Sequence, residues 1–129
     1  MTVVSRATAE RYDWGEACEG WLLLPANDLL VIEERMPPAT SEVRHFHSRA
    51  RQFFYVLSGE LLMQLEGSEH VIGASHGLEI PPLARHRAMN ASEQEVTFLV
   101  ISSPTTRGDR SDCTTVTGTR TSPSTGRGD

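Results

Sequence analysis

The stretch that decides the fold is EVRHFHSRARQFFYVLSG, residues 42–59. Glu42 to His47 alternates, with Val43, His45 and His47 on one face and Arg44 and Phe46 on the other, the two-residue period of a β-strand. A polar break then leads into Gln52 to Leu57. Its run Phe53-Phe54-Tyr55-Val56-Leu57 is the longest unbroken apolar segment in the chain and is rich in strand-forming aromatic residues. Ser58-Gly59 reads as a tight turn into a further strand, Glu60 to Leu65.

The same rhythm extends in both directions. Trp21 to Leu24 and Leu29 to Arg35 flank Pro25-Ala26-Asn27-Asp28, a turn by composition, and Pro37-Pro38 stops the second of them. Downstream, Glu66-Gly67-Ser68 turns into Glu69 to Ile72, and Leu78 to Ile80 ends at Pro81-Pro82. His86 to Asn90 and Val96 to Ile101 complete about nine short strands. Only Arg6 to Cys18 leaves room for a helix. Strands this short cannot bury both faces in one open sheet, so closure into a small barrel or jelly roll is expected. The fold class is all-β.

With 129 residues the chain has room for one domain. Its expected division is an N-terminal arm over 1–19, a barrel over 20–103 and a low-complexity tail over 104–129. The composition turns abruptly at Ser102: 19 of the last 28 residues are Ser, Thr, Gly or Pro, too polar to offset the entropy of ordering. There is no lysine, and 12 arginines against 17 acids leave a net charge of −5, which argues against a nucleic-acid partner. No apolar run approaches the ~20 residues of a membrane span, and no basic start with an apolar stretch marks a secretory signal. A cytoplasmic protein without membrane contact is expected. Cys18 and Cys113 are too few for a disulfide scaffold or a four-cysteine zinc site.

Three of the five histidines group. His45 and His47 share a strand face with Val43, which marks that face as inward. Gln52 follows five residues after His47, and His86 follows the Ile80-Pro81-Pro82 turn, in phase with Ala88 and Asn90. Neutral imidazole is the commonest metal ligand, and a His-x-His strand offers two at once. His70 and His76 lack in-phase partners and read as surface residues.

This spacing resembles the cupin superfamily. The first cupin motif runs Gly, five residues, His-x-His, three or four residues, Glu, six residues, Gly; here it reads Ala39, then His45-Phe46-His47, Gln52 and Gly59. The second runs Gly, five residues, Pro-x-Gly, two residues, His, three residues, Asn; here it reads Ser75, Pro81-Pro82-Leu83, His86 and Asn90. The resemblance implies a double-stranded β-helix barrel holding a divalent transition metal (zinc, nickel, manganese or iron) on His45, His47, Gln52 and His86. The departures are informative. Ala39, Ser75 and Leu83 replace glycines, and Gln52 replaces a carboxylate. A neutral fourth ligand leaves the metal's charge uncompensated, which makes a stronger Lewis acid held less tightly.

A three-His, one-Gln set is similar to that of cupins active on sugar acids, which implies a metal-dependent isomerase or lyase acting on a small polar metabolite. That branch carries an Asp and a Phe on its last strand before an Arg, and Val100 to Ser103 offers neither, although Arg107 remains. No obvious general base replaces that Asp, which leaves the catalytic residues unassigned; Glu34, in phase with Leu30, Ile32 and Met36, is only a candidate inward acid. A metal-dependent dioxygenase and a non-catalytic ligand-binding cupin are the other two readings. On the Gln52 strand, Phe53, Tyr55 and Leu57 are expected to face outward, an apolar patch that suits a homodimer.

Three short motifs are set aside. Gly73-Ala74-Ser75-His76-Gly77 fits a nucleophile elbow, which needs a strand-to-helix turn this chain does not offer. Asn90-Ala91-Ser92 is a glycosylation sequon, and Arg-Gly-Asp occurs at 107–109 and 127–129 in a tail rich in those residues.

Overall fold

A computed structural model describes residues 2–113, and all regular structure among them is β. The strands are β1 (Glu10–Trp14), β2 (Cys18–Pro25), β3 (Leu30–Met36), β4 (Thr40–Ser41), β5 (His45–His47) and β6 (Arg51–Ser58). They continue as β7 (Glu60–Leu65), β8 (Ser68–Gly73), β9 (Gly77–Ile80), β10 (His86–Asn90), β11 (Val96–Ser103) and β12 (Arg110–Asp112). One sheet runs β1-β2-β3-β11-β6-β9. The other runs β12-β5-β10-β7-β8, with β4 also paired to β10. Every pairing is antiparallel.

Alternation puts one face of each strand inward. On β3 the inward residues are Leu30, Ile32, Glu34 and Met36, and on β11 they are Val96, Phe98, Val100 and Ser102. Gln52, Phe54 and Val56 point in from β6, and His86, Ala88 and Asn90 are the buried residues of β10. Trp14, Phe54, Phe98, Met36, Met63 and Leu61 anchor a core shared by both sheets. Each such side chain contributes on the order of 1.5–3 kcal/mol by leaving water. Phe53 and Leu57 are exposed at 41% and 42%, with Tyr55 half-buried, as the outward reading of β6 expected.

The expected boundaries need correction at both ends. Arg6 to Cys18 is no helix and no detached arm: β1 pairs residue for residue with β2, and Tyr12 and Trp14 enter the core. The expected tail contributes β12, and Thr106 and Asp109 are buried. Polar composition misled because β12 is held by backbone pairing to β5 rather than by apolar side chains. Residues 114–129, including the second Arg-Gly-Asp, lie outside the described residues. Among the described residues no helix is long and apolar enough to cross a membrane.

The three positions where the motif glycines are replaced all adopt the left-handed backbone: Ala39 (φ 61°), Ser75 (φ 66°) and Leu83 (φ 73°). The chain geometry that glycine serves is thus retained with side chains that strain it, by roughly 1–2 kcal/mol per residue. Leu83 is 60% exposed, so its side chain offsets little of this. Leu83→Gly is therefore expected to stabilise the fold by about 0.5–1 kcal/mol in chemical denaturation, the relief of strain exceeding the added unfolded-state entropy. A fall in stability would contradict the strain argument.

Candidate metal centre

β5 and β10 are neighbours with His45 directly opposite His86. His47 shares the face of His45 two residues along, so register alone brings three imidazoles together. All three are buried, His45 and His86 completely and His47 to 2% exposure. Their ring centroids lie 4.4 Å (His45–His86), 5.0 Å (His45–His47) and 5.7 Å (His47–His86) apart. One nitrogen from each falls within 4.8 Å of the others.

Each ring is fixed by the same device. Nδ1 of His45 lies 2.8 Å from the carbonyl of Val43, Nδ1 of His86 lies 3.0 Å from that of Ala84, and Nδ1 of His47 lies 3.1 Å from that of Asp109. A carbonyl oxygen only accepts, so Nδ1 carries the proton in all three rings and the lone pair is on Nε2. This second layer fixes tautomer and ring direction in metal-binding histidines generally.

Gln52 comes from the other sheet. It is 1% exposed, opposite Ser102 on β11 and Ile80 on β9. Its Nε2 donates to the Ser102 hydroxyl at 3.2 Å, while its buried Oε1 makes no hydrogen bond. A buried acceptor left so costs on the order of 1–3 kcal/mol, which points to an absent partner. Three imidazoles locked by their outer nitrogens, with an unsatisfied amide oxygen buried on the facing sheet, fit a divalent transition metal. From Ile80 the chain turns through Pro81-Pro82-Leu83 to His86, and Leu83 N–H donates to the His47 carbonyl at 2.7 Å. The strained residue 83 thereby ties the two histidine motifs together.

Two buried groups were not visible in the sequence. Asp109 sits in the segment expected to be tail, yet its carboxylate accepts the backbone N–H groups of Ser48, Arg49 and Ala50 at 2.9–3.0 Å. Burial pushes this carboxyl up. The N–H groups of Ala50, Arg49 and Ser48, with the Arg49 charge, more than reverse that and hold it below the ordinary range. The first Arg-Gly-Asp is therefore consumed inside the fold, its Asp 7% exposed. No pattern in so short a polar turn could have identified Asp109.

The second group is Tyr12, whose hydroxyl donates to Glu34 Oε2 at 2.7 Å. Tyr12, Gly20 and Glu34 lie in one cross-strand row. A Cβ on Gly20 would overlap the Tyr12 ring, so the missing side chain is what lets Tyr12 reach Glu34. Glu34 points inward, as its phase suggested, and is fully buried. Phe98 stands opposite Glu34 on β11, the Phe98 and Phe54 rings are 5.9 Å apart, and Phe54 and His86 are 6.2 Å apart. Two aromatic rings thus span the interior between the histidines and Glu34.

The remaining motifs are structural. Asn90 Nδ2 donates to the carbonyls of Met36 and Gln94, which removes the sequon nitrogen from reach. Residues 73–77 form a turn between two strands, not an elbow before a helix. His70 and His76 are exposed and outside the cluster, and Arg49, Arg51 and Arg85 are exposed, Arg51 in an ion pair with Glu79.

Comparison with known proteins bears on the fold and the family. The polyketide synthase CurC of Streptomyces cyaneus is 33% identical over 69 residues, which are 54% of this chain but only 45% of that protein. The polyketide cyclase RemF of Streptomyces resistomycificus shares the fold with a TM-score of 0.75 at 21% identity, covering 89% of this chain and 87% of its own. KdgF from Halomonas sp. superposes with a TM-score of 0.64 at 21% identity, over 72% of this chain and 86% of its own. The Cupin domain profile matches residues 32–102, more than half of the sequence, from within β3 to near the end of β11. On that match, the chain belongs to the cupin-domain family.

Proposed function

We propose that this chain is a metal-dependent enzyme that closes or isomerises a ring in a poly-oxygenated, uncharged substrate of polyketide type. The observation that carries the reading is the composition of the interior between His86 and Glu34. Phe54, Phe98, Met36 and Met63 are the buried side chains that fill it, and Arg110, whose side chain is 9% exposed, is already held by Asp112 and the Val43 carbonyl. A sugar acid or sugar phosphate needs a buried cation to replace its hydration, whereas an aromatic polyketone needs apolar faces and a few polar groups. The likeness to CurC and to the cyclase RemF points the same way.

His45, His47, His86 and Gln52 would hold the metal, which when bound polarises a carbonyl oxygen as a Lewis acid. The other requirement of enolate chemistry is a group that takes and returns a proton. Glu34 meets it, being a carboxylate buried in an apolar wall. The Tyr12 hydroxyl donates to its Oε2 and orients the group.

A sugar-acid isomerase is the second reading, favoured by the Gln52 donor. The deciding experiment challenges the metal-loaded full chain with aryl β-polyketones and, separately, with uronates. Cyclisation of the polyketone is expected. In Glu34→Gln it should fall by about 10²–10⁴-fold, the usual contribution of a general base, with metal content unchanged. Turnover of the uronate alone would overturn the polyketide reading in favour of the second, and oxygen uptake with iron bound would replace both with a dioxygenase.

A further inference from the structure

β12 returns antiparallel to β5, with Arg110 opposite His47 and Asp112 opposite His45. The turn before it closes through Asp109 N–H to the Thr106 carbonyl at 3.0 Å, with Gly108 in the left-handed region at φ 73°. Asp109 then grips the first histidine motif at two points. Its main-chain carbonyl takes the Nδ1 proton of His47 at 3.1 Å. Its carboxylate takes three consecutive N–H groups, Ser48 on Oδ1 and Arg49 and Ala50 on Oδ2. These three residues are the link between His47 and the strand that carries Gln52. One residue therefore sets, through its main-chain carbonyl, the direction of one candidate ligand and, through its carboxylate, that ligand's separation from another.

We infer that Asp109 is the positioning residue of the metal centre. It lies beyond residue 102, where the family match ends, so the segment that completes this site is outside the matched barrel. The inference rests on the reading of His47 and Gln52 as metal ligands. Carboxylate is the side chain this geometry needs, because both oxygens accept and neither donates. In Asp109→Asn one oxygen becomes an NH₂ group that faces donors, the 48–50 link relaxes, and the carbonyl that holds His47 shifts with it. Losing such an outer partner typically weakens metal binding 10–100-fold.

The test is a Zn²⁺ titration of the full chain against a chromophoric chelator, with the Co²⁺ absorption spectrum and the His ring ¹⁵N tautomer signals recorded in parallel. Asp109→Asn is expected to bind Zn²⁺ 10–100-fold more weakly and to alter the Co²⁺ spectrum. The Nδ1–H tautomer should be lost at His47 and kept at His45 and His86. Ile72→Val, on the sheet edge away from β5, supplies a destabilised control that should bind as the wild type does. If Asp109→Asn does not fold, Gly108→Ala bends the same turn without touching the carboxylate (a Cβ there meets nothing within 4 Å) and should give a smaller shift of the same kind. Wild-type affinity in the variant, with His47 unchanged, overturns the positioning role. Failure of the wild type to take up any metal overturns the ligand reading beneath it.

Discussion

Replacing His86 with alanine is expected to weaken binding of a divalent transition metal at least a hundred-fold. Structural zinc sites with about four ligands have apparent binding free energies of roughly 10–16 kcal/mol, so each ligand accounts for about 3 kcal/mol, and every 1.4 kcal/mol is tenfold. His86 has no substitute. It is fully buried opposite His45, and the nearest ring on its other side is Phe54. His45→Ala and His47→Ala should behave alike. Gln52→Glu should act in the opposite direction and tighten binding, because it adds a negative charge where an amide oxygen makes no hydrogen bond. Competition titration measures all four, and unchanged affinity in Gln52→Glu would remove Gln52 from the donor set.

Gly59→Ala should be the most damaging change away from the centre, costing about 2–5 kcal/mol. Two independent penalties combine there. Gly59 has φ 83°, where a side chain costs roughly 1–2 kcal/mol. A Cβ would also overlap the Glu95 carbonyl oxygen and lie 2.9 Å from Val96 Cα. Those are backbone atoms at the start of β11, beside the register shift at Thr97/Phe98, and they cannot rotate away. Overpacking of this kind costs a further 1–3 kcal/mol. Gly67 is the internal comparison, with φ 86° and nothing within 4 Å of a Cβ. Gly67→Ala should therefore show the conformational penalty alone. Thermal melts separate the two, and equal shifts would show that close approach at Gly59 contributes nothing.

The legible part of this protein is the part whose side chains repeat. The strand period and the motif spacing agree in grouping His45, His47 and His86, and β3, β6, β10 and β11 alternate inward and outward as their sequences indicate. Glu34 was recognisable as inward from Leu30, Ile32 and Met36. Its partner was not, because Tyr12 lies in the polar run Glu10–Trp14 and reaches Glu34 only across Gly20. Strands β4 and β12 are two and three residues long and held by backbone pairing, which leaves no periodic trace. Asp109 was hidden for a related reason: its function is to accept main-chain N–H groups, and a Thr-Arg-Gly-Asp turn in a Ser/Thr-rich segment looks like tail.

The substituted glycines show the complementary case. Ala39, Ser75 and Leu83 stand where the motifs have glycine, and all three take up the backbone conformation glycine would have had. Fold and motif geometry are preserved at a conformational cost, with Leu83 N–H bonded to the His47 carbonyl at the junction of the two motifs. Strain of this kind, concentrated where two functional segments meet, persists only when surrounding contacts impose it.

The most direct test of the metal centre is the metal content of the full chain, purified without chelator and measured by elemental mass spectrometry and native mass spectrometry together. The account predicts about one divalent transition-metal ion per chain, bound by the wild type and absent from His86→Ala. A wild-type chain that carries none and takes up none on titration would contradict it.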